Sequence, residues 1–346
     1  MKFFEEQELQ NMIEKAASEI KSHGWKTFAI STKIPEQWLI LEEKEWDAKL
    51  DSKCQSIKNS LNAKIVKLLA TSTVIGYDPT APEGRVVFDL SSKSVSIEFE
   101  PIFIFGRYKK LEAGLSQSRW ICQKCEGDGC FKCDWKGKYY ISVEELIGDE
   151  FKKECKSSNY ALHASGREDV DVVNTAGRPF VLELIKPKNR EIDINAIAER
   201  INSEKKVEIT DLRLVPRSFV EVVTESHFEK EYEAEVEFGR EVTKEEIEKL
   251  LALSGQILNQ RTPKRVAHRR ADLDRKRKVI SVQLVSHSGN KAAFSILAEA
   301  GTYIKELVNG DNGRTVPSFS SVMGCEAKCT NLKVTKIYDE FLDFIS

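Results

Sequence analysis

Four cysteines constrain this chain more than any other feature. Cys122-Gln123-Lys124-Cys125 and Cys130-Phe131-Lys132-Cys133 form a C-x2-C-x4-C-x2-C run. Two such pairs wrap a metal from two sides, and four thiolates at tetrahedral spacing select zinc in a reducing compartment. Gly127, Gly129 and Gly137 lie where the backbone must bend around the ion. A four-residue spacer is short, so the pairs close with strain or with help from elsewhere in the chain. The set holds no histidine or carboxylate and leaves no position for a water. It therefore reads as a closed structural site, Cys122, Cys125, Cys130 and Cys133, and not as a catalytic one.

At 346 residues the chain exceeds one small core, and two or three domains are expected. No run of about 18 apolar residues occurs, so no membrane span is expected. The opening residues carry Glu5, Glu6 and Glu8 in place of the basic-then-apolar order of a signal peptide, which points to the cytoplasm. In that compartment the eight cysteines are thiols, ligands or core residues. Cys54, Cys155, Cys325 and Cys329 fall outside the paired run and read as core packing.

The formal net charge of -2 argues against a generic nucleic-acid coat, but its distribution points the other way. Arg261, Lys264, Arg265, Arg269, Arg270, Arg275, Lys276, Arg277 and Lys278 crowd one stretch, opposed only by Asp272 and Asp274. A local excess of this kind marks a polyanion-binding surface. The plain alternative is a solvated basic face.

Periodicity predicts an amphipathic helix over 3–21, with Phe4, Leu9, Met12, Ile13, Ala16 and Ile20 on one side. A short strand over 27–31 and a long helix over about 43–69 follow. Strands are expected over 85–90, 94–100 and 102–105. After the cysteine run, 143–155 reads as a helix, and 172–173 and 179–185 as extended. A helix over 193–205 precedes strands over 206–215 and 232–238. Thr243 with Glu246 makes a capping box for a helix reaching about Leu258. Strands over 279–285, 292–297 and 332–337 and a short helix over 304–308 complete the pattern. Strands and helices mix without a βαβ rhythm, so α+β is favoured over a doubly wound fold.

Ser165-Gly166-Arg167-Glu168-Asp169-Val170-Asp171-Val172 gathers an arginine and two aspartates beside a glycine. Gly166 lets the backbone turn or approach a ligand closely, and Arg167 is a planar donor suited to phosphate. Asp169 and Asp171 share a face if the segment is extended, which makes one of them a candidate nucleophile or base. A surface loop of mixed charge is the plain alternative. Tyr232 lies on a strand face with Ala234 and Val236, and Tyr303 shares a helical face with Leu307. Either tyrosine is core or a surface for stacking on a base. The five histidines show no ligand spacing. Gly-x-Ser-x-Gly, Gly-x-x-x-x-Gly-Lys-Ser/Thr and post-strand Gly-x-Gly-x-x-Gly motifs are absent, which leaves serine hydrolysis, nucleotide hydrolysis and a Rossmann-type cofactor unsupported.

Taken together, these residues resemble the archaeal and eukaryotic tRNA pseudouridine synthases of the tenth family. The resemblance covers most of the chain. It runs through Phe105 to Leu111, Gln117 to Trp120, Ser142 to Gly148, Ser165 to Val172 and Gly177 to Phe180. It continues through Arg261 to Pro263, Arg265 to Leu273, Tyr303 to Leu307, and Gly310, Asp311 and Gly313 to Thr315. It implies isomerisation of uridine to pseudouridine at T-arm positions 54 and/or 55, with no cofactor for the reaction. By position in the Arg-x-Asp core the catalytic aspartate is Asp169, with Asp171 the second choice. The resemblance further implies that Lys305 supplies a counter-charge and that Tyr232 stacks on the target base and is the candidate to handle its proton. Tyr303 would contact the substrate, Leu307 would pack behind it, and Arg167 would take a phosphate of the flipped nucleotide or the space it leaves. Arg261, Lys264, Arg265, Arg269 and Arg270 would bind RNA.

The architecture so implied is a THUMP-like α/β RNA-binding domain over 1–115, a four-cysteine zinc insert over 116–140, and a pseudouridine synthase domain with a mixed or antiparallel sheet over 141–346. Its partner is tRNA, its metal a structural Zn2+, and its expected state a cytoplasmic monomer. This sequence departs from the family pattern twice. A paired-cysteine motif near the start is missing, so zinc content rests on 122–133. Val173-Asn174-Thr175 also stands where an early arginine is expected. The competing readings are a non-catalytic tRNA-binding protein or folding chaperone, and a THUMP-associated enzyme of another class; the missing glycine-rich cofactor loop counts against the latter.

Overall fold

The computed structural model describes residues 6–48, 56–267, 270–340 and 342. Its contacts divide the chain into two compact units. One comprises 1–102, 152–160 and 184–192, and the other 103–151, 161–183 and 193–346. The chain runs α1 (Glu6–Ser22), β1 (Thr27–Lys33), α2 (Glu36–Ala48), α3 (Ile57–Thr73), β2 (Gly76–Tyr77), β3 (Gly84–Asp89), β4 (Ser94–Phe99) and β5 (Ile102–Lys110). It continues with α4 (Val143–Cys155), β6 (Asn159–Ala164), β7 (Val173–Ile185), α5 (Ile194–Ser203), β8 (Val207–Leu214), α6 (Phe219–Thr224), β9 (Lys230–Phe238) and α7 (Lys244–Leu251). It ends with β10 (Ile257–Arg261), β11 (Asp274–Ser288), β12 (Lys291–Ala298), α8 (Ile304–Asn309), β13 (Thr315–Val316), α9 (Phe319–Met323) and β14 (Ala327–Ile337). The α+β class expected from the sequence is the one observed.

The first unit carries a four-stranded sheet in the order β2-β1-β3-β4. β1 pairs in parallel with β2 and β3, and β3 pairs antiparallel with β4. The apolar stripe of α1 (Leu9, Met12, Ile13, Ala16, Ala17, Ile20) joins Phe28, Ile65, Leu69, Val86 and Phe88 in one core. Arg190 donates to the carbonyls of Glu83 and Glu100, which ties 184–192 into this unit. The single long helix expected over 43–69 is instead two helices. Ser56 sits extended ahead of α3 and accepts from the Asn59 amide, and such a cap starts a helix rather than continuing one. Cys54 lies outside the described residues.

The larger sheet runs β13-β10-β11-β12-β9-β14-β7-β5-β8, with β6 on β7, ten strands among the described residues. It is mixed: β9 is antiparallel to both β12 and β14, whereas β14 runs parallel to β7. Along β9 the residues Lys230, Tyr232, Ala234, Val236 and Phe238 are buried on one face, the alternation that the sequence showed. The Thr243–Glu246 capping box starts α7 as expected. That helix stops at Leu251, seven residues early, because Gly255 turns in the left-handed region and the chain then pairs as β10 with β11. The extended pieces read at 172–173 and 179–185 form one strand, β7. The short α6 and α9 and the strand β6 left no periodic signal.

Candidate active site

Residues 165–172 connect β6 to β7 through a turn. Gly166 adopts φ +74°, and a Cβ there would stand 3.1 Å from Arg178 Nη1. The Val172 amide donates to the Asp169 carbonyl at 3.2 Å. Asp169 and Asp171 therefore lie on the same side through a turn, and not through the strand alternation that the sequence suggested. The turn's backbone is gripped from β5. Lys110, fully buried, donates to the carbonyls of Asp169 (2.9 Å), Val170 (3.0 Å) and Leu115 (3.0 Å). Burial pulls its ammonium below the ordinary lysine range, against the pull of Glu168, Asp171 and Asp169.

Two cations meet the two carboxylates. Arg265, beside β10, places Nη1 2.5 Å from Asp169 Oδ2 and pairs its other edge with Glu306 at 2.7 and 3.2 Å. Lys305, in the first turn of α8, reaches both oxygens of Asp171 at 2.6 Å and Asp169 at 3.6 Å. The side chain of Asp171 is 70% exposed and that of Asp169 25% exposed, so the aspartates differ in setting. Partial burial opposes ionisation of Asp171, but hydrogen bonds and charge from Lys305 prevail and hold its carboxyl below the usual range. For Arg265, burial is outweighed by Glu306 and the aspartates, which raise its already high pKa.

Behind the turn lies a buried polar network that sequence reasoning missed. Arg178 Nε stands 2.7 Å from Glu168 Oε2, both side chains 2% exposed. That pairing is an ion pair without hydrogen-bond alignment. Aligned bonds come from Tyr108 to Glu168 (2.8 Å), from Gln117 to Tyr108 (2.8 Å) and to the Gly166 carbonyl (2.9 Å), and from Arg178 Nη1 to the Ser165 carbonyl (2.6 Å). The aligned bonds to Glu168 and to the Gly166 and Ser165 carbonyls brace the turn that carries Asp169. Arg178 was visible within the Gly177-Arg178-Pro179-Phe180 motif. Its direct partners, Glu168 and the Ser165 carbonyl, lie in the turn itself. Tyr108 and Gln117, which bond Glu168 and the Gly166 carbonyl, come from β5 and the segment after it, some 50–60 residues away in sequence, which no local pattern reveals.

Asp169 lines a cavity of about 490 Å³ together with Arg167, Lys230, Tyr232, Arg265, Arg270, Arg275, Arg277, Tyr303 and Lys305. That volume suits a small organic group. Of the residues singled out in the sequence, Asp169, Arg167, Tyr232, Tyr303, Lys305, Arg265 and Arg270 converge here. Burial pushes the Tyr232 phenol up to about 12. The guanidinium of Arg265 lies 6.0 Å from the Tyr303 ring centroid. Leu307 does not line the cavity; it is fully buried one turn along α8, its amide bonded to the Tyr303 carbonyl. Arg261 lies apart from the cavity and pairs with Asp272, which Arg314 shares. Lys264 is exposed, and its amide donates to Asp311. Arg269 lies outside the described residues. Arg270, Arg275 and Arg277 have no carboxylate partner among the described residues, so this part of the wall is uncompensated positive charge.

The four cysteines form a second constellation, with all four Sγ atoms within 4.8 Å of one another. The Cys122–Cys130, Cys125–Cys133 and Cys130–Cys133 separations are 3.9, 3.8 and 3.9 Å. A tetrahedron with metal–sulfur arms of about 2.3 Å has edges of about 3.8 Å, so the set can hold a metal ion. Backbone amides of Gly129, Cys130 and Gly137 point at Cys125 or Cys133 sulfurs at 3.2–3.3 Å, as thiolate ligands require. The short spacer closes through left-handed residues at Glu126, Gly127 and Gly129, and the chain leaves through Asp134, Trp135 and Gly137. A Cβ on Gly137 would stand 2.1 Å from the Gly127 carbonyl oxygen, which only glycine avoids.

The family described as Pus10, C-terminal, matches residues 103–338, starting where the second unit starts. The tRNA pseudouridine synthase Pus10 of Methanocaldococcus jannaschii is 40% identical over 343 residues, covering 98% of this chain and 74% of that protein. Its counterpart from Archaeoglobus fulgidus is 39% identical over 334 residues, covering 95% of this chain and 92% of that protein. A solved Cbf5-Nop10-Gar1 complex matches 56% of this chain and 44% of its own at 20% identity and a TM-score of 0.34.

Proposed function

The chain belongs to the Pus10 family of tRNA pseudouridine synthases, enzymes that isomerise uridine in tRNA, and from that premise we propose how its own residues do so. Asp169 is the catalytic carboxylate, acting as nucleophile or as the base that starts glycosidic cleavage. The observation that carries this reading is the pairing of Asp169 with Arg265 and Lys305 at the wall of a cavity that also presents Tyr232. Two cations supply the counter-charge that the carboxylate needs once a substrate displaces water. Asp171, mostly exposed and saturated by Lys305, serves as part of the clamp.

The target uridine leaves its stack to enter the cavity, since its glycosidic bond is out of reach inside a duplex. Tyr232 stacks on the base and Tyr303 contacts the nucleotide, with Leu307 packing behind it in α8. Arg167 takes a flanking phosphate. Arg265 holds Asp169, while Arg270 and, beyond the described residues, Arg269 meet the RNA backbone together with Lys264 and Arg261. The T arm, at position 54 or 55, is the target. The cysteine set holds a structural Zn2+ within 116–140, and no cofactor takes part in the reaction. A THUMP-like segment within 1–115 binds the tRNA, and 141–346 carries catalysis, in a monomeric cytoplasmic enzyme.

The test is pseudouridine mapping on an unmodified tRNA transcript with purified protein and no added cofactor, beside the Asp169→Ala variant. The expected result is T-arm modification by wild type alone, with tRNA binding retained in the variant. Pseudouridine made by Asp169→Ala would overturn the assignment.

A further inference from the structure

Isomerisation leaves a proton to be moved. Once N1–C1′ breaks and C5–C1′ forms, carbon 5 holds both its hydrogen and the sugar. That hydrogen must leave as a proton while its electron pair restores the C5=C6 double bond, and N1 must gain a proton. The exchange is redox-neutral and needs no further reactant. We propose that Lys230 is the catalytic residue for this transfer: its neutral amine takes the proton from carbon 5 and the resulting ammonium returns one to N1. The proposal rests on the reading of Asp169 given above.

The geometry singles Lys230 out from the other groups on the cavity wall. It projects from the same face of β9 as Tyr232, two residues on, and lines the same cavity as Asp169. It is 7% exposed, and Nζ lies 4.0 Å from where a Cβ on Gly166 would stand, hence against the catalytic turn. Its ammonium has one protein acceptor, the Phe228 carbonyl at 3.0 Å, and no carboxylate within salt-bridge distance among the described residues. Arg265 and Lys305, by contrast, are held by Glu306, Asp169 and Asp171. Asp169 is committed to the sugar or its bond.

The groups facing Lys230 explain why an amine here can act as a base. Burial first, and then the Arg178 guanidinium from β7, bring its ammonium down to about 8, against the weaker pull of Glu168 in the turn and Asp339 after β14. A desolvated lysine beside another cation is a recognised way to obtain a basic amine at neutral pH. The same burial moves Tyr232 the wrong way, up to about 12. At pH 7 roughly one Lys230 in ten is then neutral, against about one Tyr232 in 10⁵ ionised, so the lysine supplies the base and the tyrosine the stacking surface.

The test is single-turnover modification of tRNA by Lys230→Ala, with and without small primary amines. The variant should be about 10²–10⁴-fold slower, the usual weight of a positioned acid–base group, with tRNA affinity unchanged. Methylamine or ethylamine should restore at least about tenfold, more for the more basic amine. Deuterium at uridine C5 should slow Lys230→Ala further while barely affecting wild type. If Lys230→Ala does not fold, Lys230→Gln, which keeps a donor for Phe228, carries the isotope measurement. A wild-type rate in either variant overturns the proposal, as does a slow variant that neither amines nor C5 deuterium affect. Asp169→Ala run alongside separates the two readings. Activity in it removes the underlying assignment, whereas its inactivity beside a fully active Lys230→Ala removes the proton role alone.

Discussion

Asp169 and Asp171 stand two residues apart and meet the same ammonium, yet only Asp169 lines the cavity. Replacing each in turn should separate chemistry from clamping. Asp169→Asn should lose turnover by about 10⁴-fold or more, since the neutral amide can neither attack nor accept a proton. Asp171→Asn should cost only about tenfold, through a loosened Lys305, and single-turnover rates will give the order. The reverse order would make Asp171 the reacting group. The site was partly legible at this scale. Asp169, Arg167, Tyr232, Tyr303 and Lys305 were each visible as chemistry-bearing residues in short motifs. Lys110, Glu168 and Lys230 were not, because a buried lysine or glutamate looks like any surface charge until its desolvation is seen.

The cysteine loop is the element whose stability would respond most directly to a bound ion, since its four sulfurs can hold one. Its turns pass through left-handed backbone at three non-glycine residues, Glu126, Asp134 and Trp135, each sterically unfavourable without a compensating bond. Four sulfurs on one ion would provide that compensation. Chelation, or Cys125→Ser, should therefore lower the Tm by several degrees and weaken tRNA binding, because ligand binding and local folding are one equilibrium. Differential scanning fluorimetry with and without chelator gives the answer, and an unchanged melting curve would mean that the loop closes without metal. Elements were legible where one period dominated, as in α1, β9 and the capped α7. They were misread where a cap or a pairing partner decided. Ser56 splits what looked like one helix, and β11 draws 257–261 into a strand because the sheet supplies the partners for its backbone groups. The basic run likewise looked uniform, but Asp272 neutralises its Arg261 end while Arg275 and Arg277 turn to the cavity.

For the whole molecule the buried ionisable groups set the pH dependence of stability. Lys230 has a folded pKa of about 8 against 10.5 when free. Between these values the unfolded chain binds more protons than the folded one, so stability rises with pH, by at most about 3 kcal/mol from this group. Tyr232 acts in the opposite sense above pH 10, where the unfolded phenol ionises first and stability falls until about 12. Urea denaturation should show a gain from pH 8 to 10 that Lys230→Met lacks, and the variant should be the more stable protein at pH 7. That outcome would make the lysine a stability cost borne for function. The distribution of charge makes a second demand on the whole surface. A chain of net charge -2 binds a polyanion chiefly through cations that its own acids do not neutralise. Arg270, Arg275 and Arg277 meet that condition, whereas Arg261 is already matched by Asp272. Removing one arginine–phosphate pairing should reduce the slope of log K against log salt by about 0.7–0.9. The triple change Arg270→Ala, Arg275→Ala and Arg277→Ala should thus flatten the slope by about 2, and Arg261→Ala by well under 1. Fluorescence anisotropy of labelled tRNA across a salt series measures both. Equal effects from the two variants would show that pairing within the protein does not decide which arginines meet the RNA.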